Sequence, residues 1–184
     1  MMGLISALKF LVLETYMVHF LETFVNPKSV AFYGANEKIL TNMGTQQLLN
    51  LLDIGYQGKI YPIHPKLTTV LGLRAYPSLA EVPEIPDLVI VVLATRLIPT
   101  IFHEIGHKGT KNVILITAGF RETHNPDGEK EILKIAQQYG MRFLGPNCIG
   151  MLNTYTHYSA TDPAVTCMFN CTWVSYPSFP GILS

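Results

Sequence analysis

Little charge and little sulfur mark this sequence. Only 14% of its 184 residues are Asp, Glu, Lys or Arg, and thirteen basic residues balance thirteen acidic ones. No basic stripe with interleaved aromatics appears, which argues against nucleic-acid binding. Three cysteines, Cys148, Cys167 and Cys171, form no even disulfide framework, so a reducing, cytoplasmic setting is expected. The C-x-x-x-C spacing of Cys167 and Cys171 lacks the second ligand pair of a zinc site, and both read as ordinary thiols. Neither G-x-G-x-x-G nor G-K-[ST] occurs, so the dinucleotide fingerprint and the Walker loop are both missing. A membrane span is not expected either. The apolar opening "MMGLISALKFLVLETYMVHF" is too short and is interrupted by Lys9. It also lacks the basic n-region and the A-x-A site of a signal peptide. Residues 1–16 read as an N-terminal extension, with Met17 a candidate natural start.

What the chain does have is apolar residues, 48% of the total, enough for a sizeable core in one domain. Short apolar runs alternate with helical patterns. Strands are expected at Ser29–Gly34, Lys59–Pro65, Asp87–Ala94, Asn112–Gly119 and Met141–Asn147. Helices are expected at Thr41–Gly55, at 97–109 with Pro99 in the first turn, and at Asp127–Gly140. "DLVIVVLA" and "NVILITAG" are apolar throughout, as strands covered on both faces are. Such alternation implies an α/β fold: a Rossmann-like, doubly wound, mostly parallel sheet with flanking helices. These sheets bind ligands beyond the carboxyl ends of their strands, near the switch point in strand order. After Gly150 the alternation stops. The unit is expected to run over 17–155, with 156–184 a linker or the start of a following domain.

One short motif competes for attention. "FHEIGH" carries His103, Glu104 and His107 as H-E-x-x-H, which on a helix places both imidazoles on one face and fits a zinc hydrolase. Here the motif falls on a crossover helix between two buried strands, and no third ligand stands in a recognisable pattern. The expectation is two histidines near a helix C-terminus, where positive charge is favourable, and no metal.

The strand ends hold the other candidates. "GANEKILTNMGTQQ" joins the first strand to a helix, and N–H groups at such a helix start can hold phosphate. Gly34 permits a tight turn and Gly44 a close approach, though an ordinary glycine-bounded turn has the same composition. At the second strand end a dinucleotide site often has an acidic residue for the ribose; this chain has His64, Pro65 and Lys66. A lysine suits a phosphate better than a diol, and is equally common in a solvated loop. Cys148, on a Pro-Asn turn, is either a reactive thiol or a small buried apolar residue.

Taken together, "FVNPKSVAFYGAN", "GYQGKIYPIHPK", "AYPSLAEVPEIPDLVIVV", "ITAGFRE" and "YGMRFLGPNCIGMLNTY" resemble the N-terminal CoA-binding domain of ADP-forming acyl-CoA synthetases of the acetate–CoA ligase type. That domain is similar to the alpha subunit of succinyl-CoA synthetase. The resemblance runs in order from Phe20 to Tyr155 and implies coenzyme A as ligand. It implies that Asn42, Met43, Gly44 and Thr45 surround phosphates, and that His64, Pro65 and Lys66 line the adenosine and phosphate end. Leu93, Ala94, Thr95 and Arg96 would touch pantetheine or nucleotide, Ala118 and Gly119 would form a turn near the ligand, and Asn147 and Cys148 would lie by the thiol. The chain departs from the family's frequent Pro-Ala turn at Ala94-Thr95. The resemblance further implies CoA or acyl-CoA as partner, together with a flavodoxin-like domain and an ATP-grasp unit in the full enzyme. No histidine here has the phosphohistidine context of that enzyme, so binding without turnover is expected. Two other functions fit the same fold: a stand-alone CoA-binding regulator or part of a protein acetyltransferase, and an NAD-binding oxidoreductase or redox sensor.

Overall fold

A computed structural model describes residues 21–120, 123–153 and 158–161. Five strands form one parallel sheet: β1 (Ser29–Tyr33), β2 (Lys59–Ile63), β5 (Leu88–Val91), β6 (Asn112–Leu115) and β7 (Arg142–Leu144). Their spatial order is β2-β1-β5-β6-β7. Val30 pairs with Ile60 on one side and with Leu88 on the other, so β1 is the strand at which the chain reverses its progress across the sheet. This is the doubly wound arrangement expected from the alternating pattern, in its flavodoxin-like strand order.

The uninterrupted apolar runs are explained by two cores. Ala31, Tyr33, Val89, Val91, Val113 and Leu115 point to one face. There they meet Phe102 and Ile105 of α3 (Ile98–Lys108), and Ile132 and Ile135 of α4 (Pro126–Tyr139). Val30, Phe32, Leu88, Ile90 and Ile114 point to the other face, against Leu48 and Leu51 of α2 (Met43–Asp53) and Phe24 of a single helical turn, α1 (Glu22–Val25). With both faces covered, period-two alternation disappears from the sequence of the central strands.

The strands are shorter than their apolar runs. Val92 N–H still bonds Tyr33 O at 3.0 Å, and Ile116 N–H bonds Val91 O at 3.0 Å, but beyond these the chain leaves the ladder. Residues 92–94 and 116–119, expected as strand, are loops over the sheet edge. β7 ends at Leu144 because Gly145 takes φ 105°.

Two antiparallel hairpins were not legible in the sequence. β3 (Thr69–Val70) and β4 (Leu73–Arg74) turn through Leu71 and Gly72, both at positive φ (49° and 77°). β8 (Gly150–Asn153) and β9 (Tyr158–Thr161) pair beyond the main sheet. Tyr158 is fully buried, edge-on to Tyr56 at 5.6 Å, so the packed unit continues past residue 155. Tyr158 stands in a polar stretch with Tyr155 but without a periodic apolar pattern, and the packing of this strand pair on α2 is a tertiary fact.

No helix among the described residues is long and apolar enough to cross a membrane.

Candidate functional site

Three backbones converge where strand order reverses. Gly34, following β1, has φ 101°, and a Cβ there would lie 1.9 Å from Val92 O. Gly44, in the first turn of α2, would place a Cβ 2.6 Å from Gly34 O. The two glycines are required by contact between the end of β1, the end of β5 and the start of α2, rather than by an open turn.

The loop between them is held by its own side chains. Asn42 caps α2, its Oδ1 accepting Thr45 N–H at 2.7 Å. Thr45 is fully buried; its hydroxyl accepts Asn36 N–H at 2.8 Å and donates to Asn36 O at 2.9 Å. Both side chains therefore build the loop. What they leave to a ligand is backbone at the helix start.

Beside this loop opens a cavity of about 570 Å³ over the carboxyl ends of β5, β6 and β7. Of the residues expected at a ligand, Met43, the turn Leu93 to Thr95, Ala118, Asn147 and Cys148 line it. Thr117, at an expected strand end, also lines it, as do Gln47, Val92, Ile116 and Ile149, which were not singled out from sequence. Gln47 carried a readable signal: it is a polar residue on the apolar stripe of α2, one turn beyond Met43 and beside Leu48.

Threonines fix the wall. Thr117 Oγ1 donates to Leu93 O at 2.7 Å and accepts Leu93 N–H at 3.1 Å. Thr95 Oγ1 donates to Ala118 O at 2.7 Å. Gly119, at φ 109°, packs so closely on Thr95 that a Cβ would lie 2.3 Å from Oγ1; it supports the wall without lining it. Asn147 has φ 53°, and its N–H bonds Thr117 O at 3.0 Å, joining the third loop to the second.

Cys148 Sγ lies 3.5 Å from Leu115 O and 3.8 Å from Leu144 O. Burial pushes its pKa up to about 11, outweighing the backbone hydrogen bonds that lower it. A raised pKa and burial favour the small apolar reading of this residue over the reactive-thiolate one.

Among the described residues no charged side chain lines the cavity. Gly34, Asn42, Gly44, Thr45, His64, Pro65 and Lys66 all lie outside its lining. His64 Nδ1 accepts the N–H groups of Leu67 (3.0 Å) and Lys66 (3.2 Å), shaping the turn after β2, and leaves Pro65 and Lys66 exposed. The cavity is thus an apolar slot, with the cationic turn after β2 beyond its lining.

The H-E-x-x-H residues are elsewhere. Glu104 Oε1 accepts Leu79 N–H at 2.6 Å, away from the histidines' partner. Tyr139 OH lies 3.2 Å from His103 Nδ1 and 3.0 Å from His107 Nε2. One tyrosine of α4 thus joins both imidazoles of α3, which is a helix-packing contact. Among the described residues no group of three or more His, Cys, Asp or Glu is placed to hold a metal ion.

Residues 28–154 match the family described as CoA binding domain. The chain belongs to the CoA-binding domain family. An ADP-forming acetate–CoA ligase of Methanocaldococcus jannaschii is 41% identical over 135 residues, which cover 73% of this chain and 19% of that protein. The alpha subunit of the ADP-forming acetate–CoA ligase II of Pyrococcus furiosus is 39% identical over 158 residues, 84% of this chain and 34% of that one. The apo structure of dinucleotide-forming acetyl-coenzyme A synthetase 1 of Ca. Korarchaeum cryptofilum superposes with a TM-score of 0.74 at 36% identity, covering 77% of this chain and 31% of that chain. The chain therefore spans between a fifth and a third of the length of these curated relatives. The CoA-binding family match includes every loop that lines the cavity.

Proposed function

We propose that the cavity at the switch point takes the pantetheine arm of coenzyme A, with the nucleotide phosphates lying outside it toward the start of α2 and Lys66. The observation that carries this reading is the cavity's composition: about 570 Å³ of space with a mostly apolar lining and, among the described residues, no charged side chain, in a chain of the CoA-binding family. A slot of that kind suits an uncharged arm and would desolvate phosphate without repaying it. Helix-start N–H groups and an exposed lysine suit the phosphates.

In this reading the chain supplies the CoA-binding part of an ADP-forming acyl-CoA synthetase, in which an acid, CoA and ATP give acyl-CoA, ADP and phosphate. A flavodoxin-like domain and an ATP-grasp unit are its partners in that reaction. The chain alone binds without turnover in this reading: among the described residues no side chain at the cavity is an activated base or nucleophile, and burial raises the pKa of the Cys148 thiol. Cysteine usage supports a reducing, cytoplasmic setting.

Calorimetric titration of the chain tests the reading. CoA should bind more tightly than dephospho-CoA or ADP, and NAD should not compete. CoA at a hundred times its Kd should stabilise the fold by about 2.7 kcal/mol. A folded chain that gives no heat and no thermal shift with millimolar CoA would sink the proposal.

A further inference from the structure

The polar side chains around the cavity are used up within the protein, with one buried exception. Thr117 and Thr95 bond across the loop ends, and Cys148 faces backbone carbonyls. Asn147 is exposed. Gln47 is 1% exposed and forms part of the cavity wall, yet its Oε1 has no hydrogen-bond partner among the described residues. An unpaired buried carbonyl oxygen destabilises a fold that leucine or methionine at the same place would suit. The neighbouring helix positions Leu48 and Leu51 are apolar. Such a group in a cavity wall is explained by a ligand that completes it.

A primary carboxamide both accepts and donates, so its natural complement is a secondary amide, which offers one N–H and one C=O. Phosphates at neutral pH and ribose ring oxygens offer acceptors only. Rotation about the terminal χ3 bond is soft, so the carboxamide can turn its oxygen into the cavity when a donor arrives. We propose that Gln47 is a specificity-determining residue that pairs with a secondary amide of the pantetheine arm, so that the cavity reads the arm by an amide hydrogen bond and not by shape alone. This rests on the CoA reading above. It adds the part of the ligand that sits beside α2, and a cost borne by the empty protein.

The test uses the whole chain and three probes: CoA, desulfo-CoA, which keeps both amides and lacks the thiol, and adenosine 3′,5′-bisphosphate, which lacks the arm. Gln47→Met keeps the volume and removes the hydrogen bonding. It should weaken CoA and desulfo-CoA alike by about tenfold, equivalent to ~1.4 kcal/mol, and leave the bisphosphate unchanged. The ligand-free variant should melt at or above the wild-type temperature, because an unpaired acceptor has been removed. In the wild type, the Gln47 side-chain NH2 resonances should shift with CoA and desulfo-CoA but not with the bisphosphate, a readout that needs no stable variant. Equal CoA affinity in wild type and Gln47→Met overturns the inference while the CoA reading stands. A loss confined to CoA and absent for desulfo-CoA, or an equal loss for the bisphosphate, also overturns it. Wild-type protein that binds no CoA overturns both readings.

Discussion

Thr117 and Leu93 hold each other twice: the threonine hydroxyl donates to the Leu93 carbonyl at 2.7 Å and accepts the Leu93 N–H at 3.1 Å. The two residues lie just past the ends of β6 and β5, where the strand ladder has stopped. A single side chain thus continues the sheet's hydrogen bonding into the loops that line the cavity.

Thr117→Val keeps the shape and removes the hydroxyl, leaving the Leu93 amide without this partner. The expected loss of stability is about 1–3 kcal/mol. CoA affinity should fall as well, since Leu93 to Thr95 would no longer be held in place. Chemical denaturation and calorimetry of the same variant check both. Unchanged stability would show that the loops do not depend on this bond.

Gly44→Ala reverses the usual sign of a glycine replacement in a helix. Propensity alone favours alanine by up to about 1 kcal/mol. Here the new methyl would stand 2.6 Å from Gly34 O, which is backbone and cannot swing away. Overpacking should win, giving a net loss of about 1–3 kcal/mol. For a chain of this size that lowers Tm by about 2–4 °C per kcal/mol. Gly55→Ala is the control for added bulk, since no atom lies within 4 Å of its Cβ position, although its φ of 83° adds backbone strain there.

Cys148 should ionise late. Its pKa is pushed up to about 11 by burial, from an ordinary value of 9.0. The rate of alkylation of this thiol should therefore keep rising with pH beyond 9, where an ordinary cysteine levels off. Stability has a matching dependence. Between pH 9 and 11 the unfolded chain releases the thiol proton and the native chain retains it, so stability falls as pH rises through that window. Cys148→Ala should flatten this part of the alkaline stability curve. Bound CoA should slow alkylation of the wild type, since Cys148 lines the cavity.

Lys66→Ala tests the phosphate side. The residue is exposed and outside the cavity lining, so the substitution should leave stability unchanged. CoA affinity should fall by up to about tenfold at low salt, and by less at high salt, where screening has already weakened the contact. The loss should be the same for adenosine 3′,5′-bisphosphate. Equal affinity in wild type and variant at low salt would place the phosphates elsewhere.

Much of the architecture was legible because it is written in local pattern. Runs such as Leu88–Val91 and Asn112–Leu115 are apolar at every position, and between them Ile98, Phe102 and Ile105 recur at helical spacing. The caps were also readable: Pro99 in the first turn of α3, and Gly109 and Gly140 just past α3 and α4. The candidate site was half legible. Leu93 to Thr95, Ala118, Asn147 and Cys148 follow from knowing where strands end, since a parallel sheet gathers its strand ends on one edge, whereas Met43, at the start of α2, came only from the family resemblance. Asn42 and Thr45 are expected at the ligand, and the structure shows their side chains also holding the loop, a role that nothing local in the sequence distinguishes from ligand contact.

Periodicity and punctuation are properties of neighbours along the chain, and they suffice to specify alternating strands and helices, hence the fold class. Strand order is different. The same five apolar runs satisfy many arrangements until the two cores are packed together, and only packing places β1 between β2 and β5. That order brings Gly34, Val92 and Gly44 into contact, leads the carboxyl-end loops around one cavity, and turns Gln47 toward it while Thr45, two residues earlier on α2, faces the protein. Each of these depends on residues far apart in sequence meeting in space, so their chemistry was fixed by tertiary contact and not by local pattern.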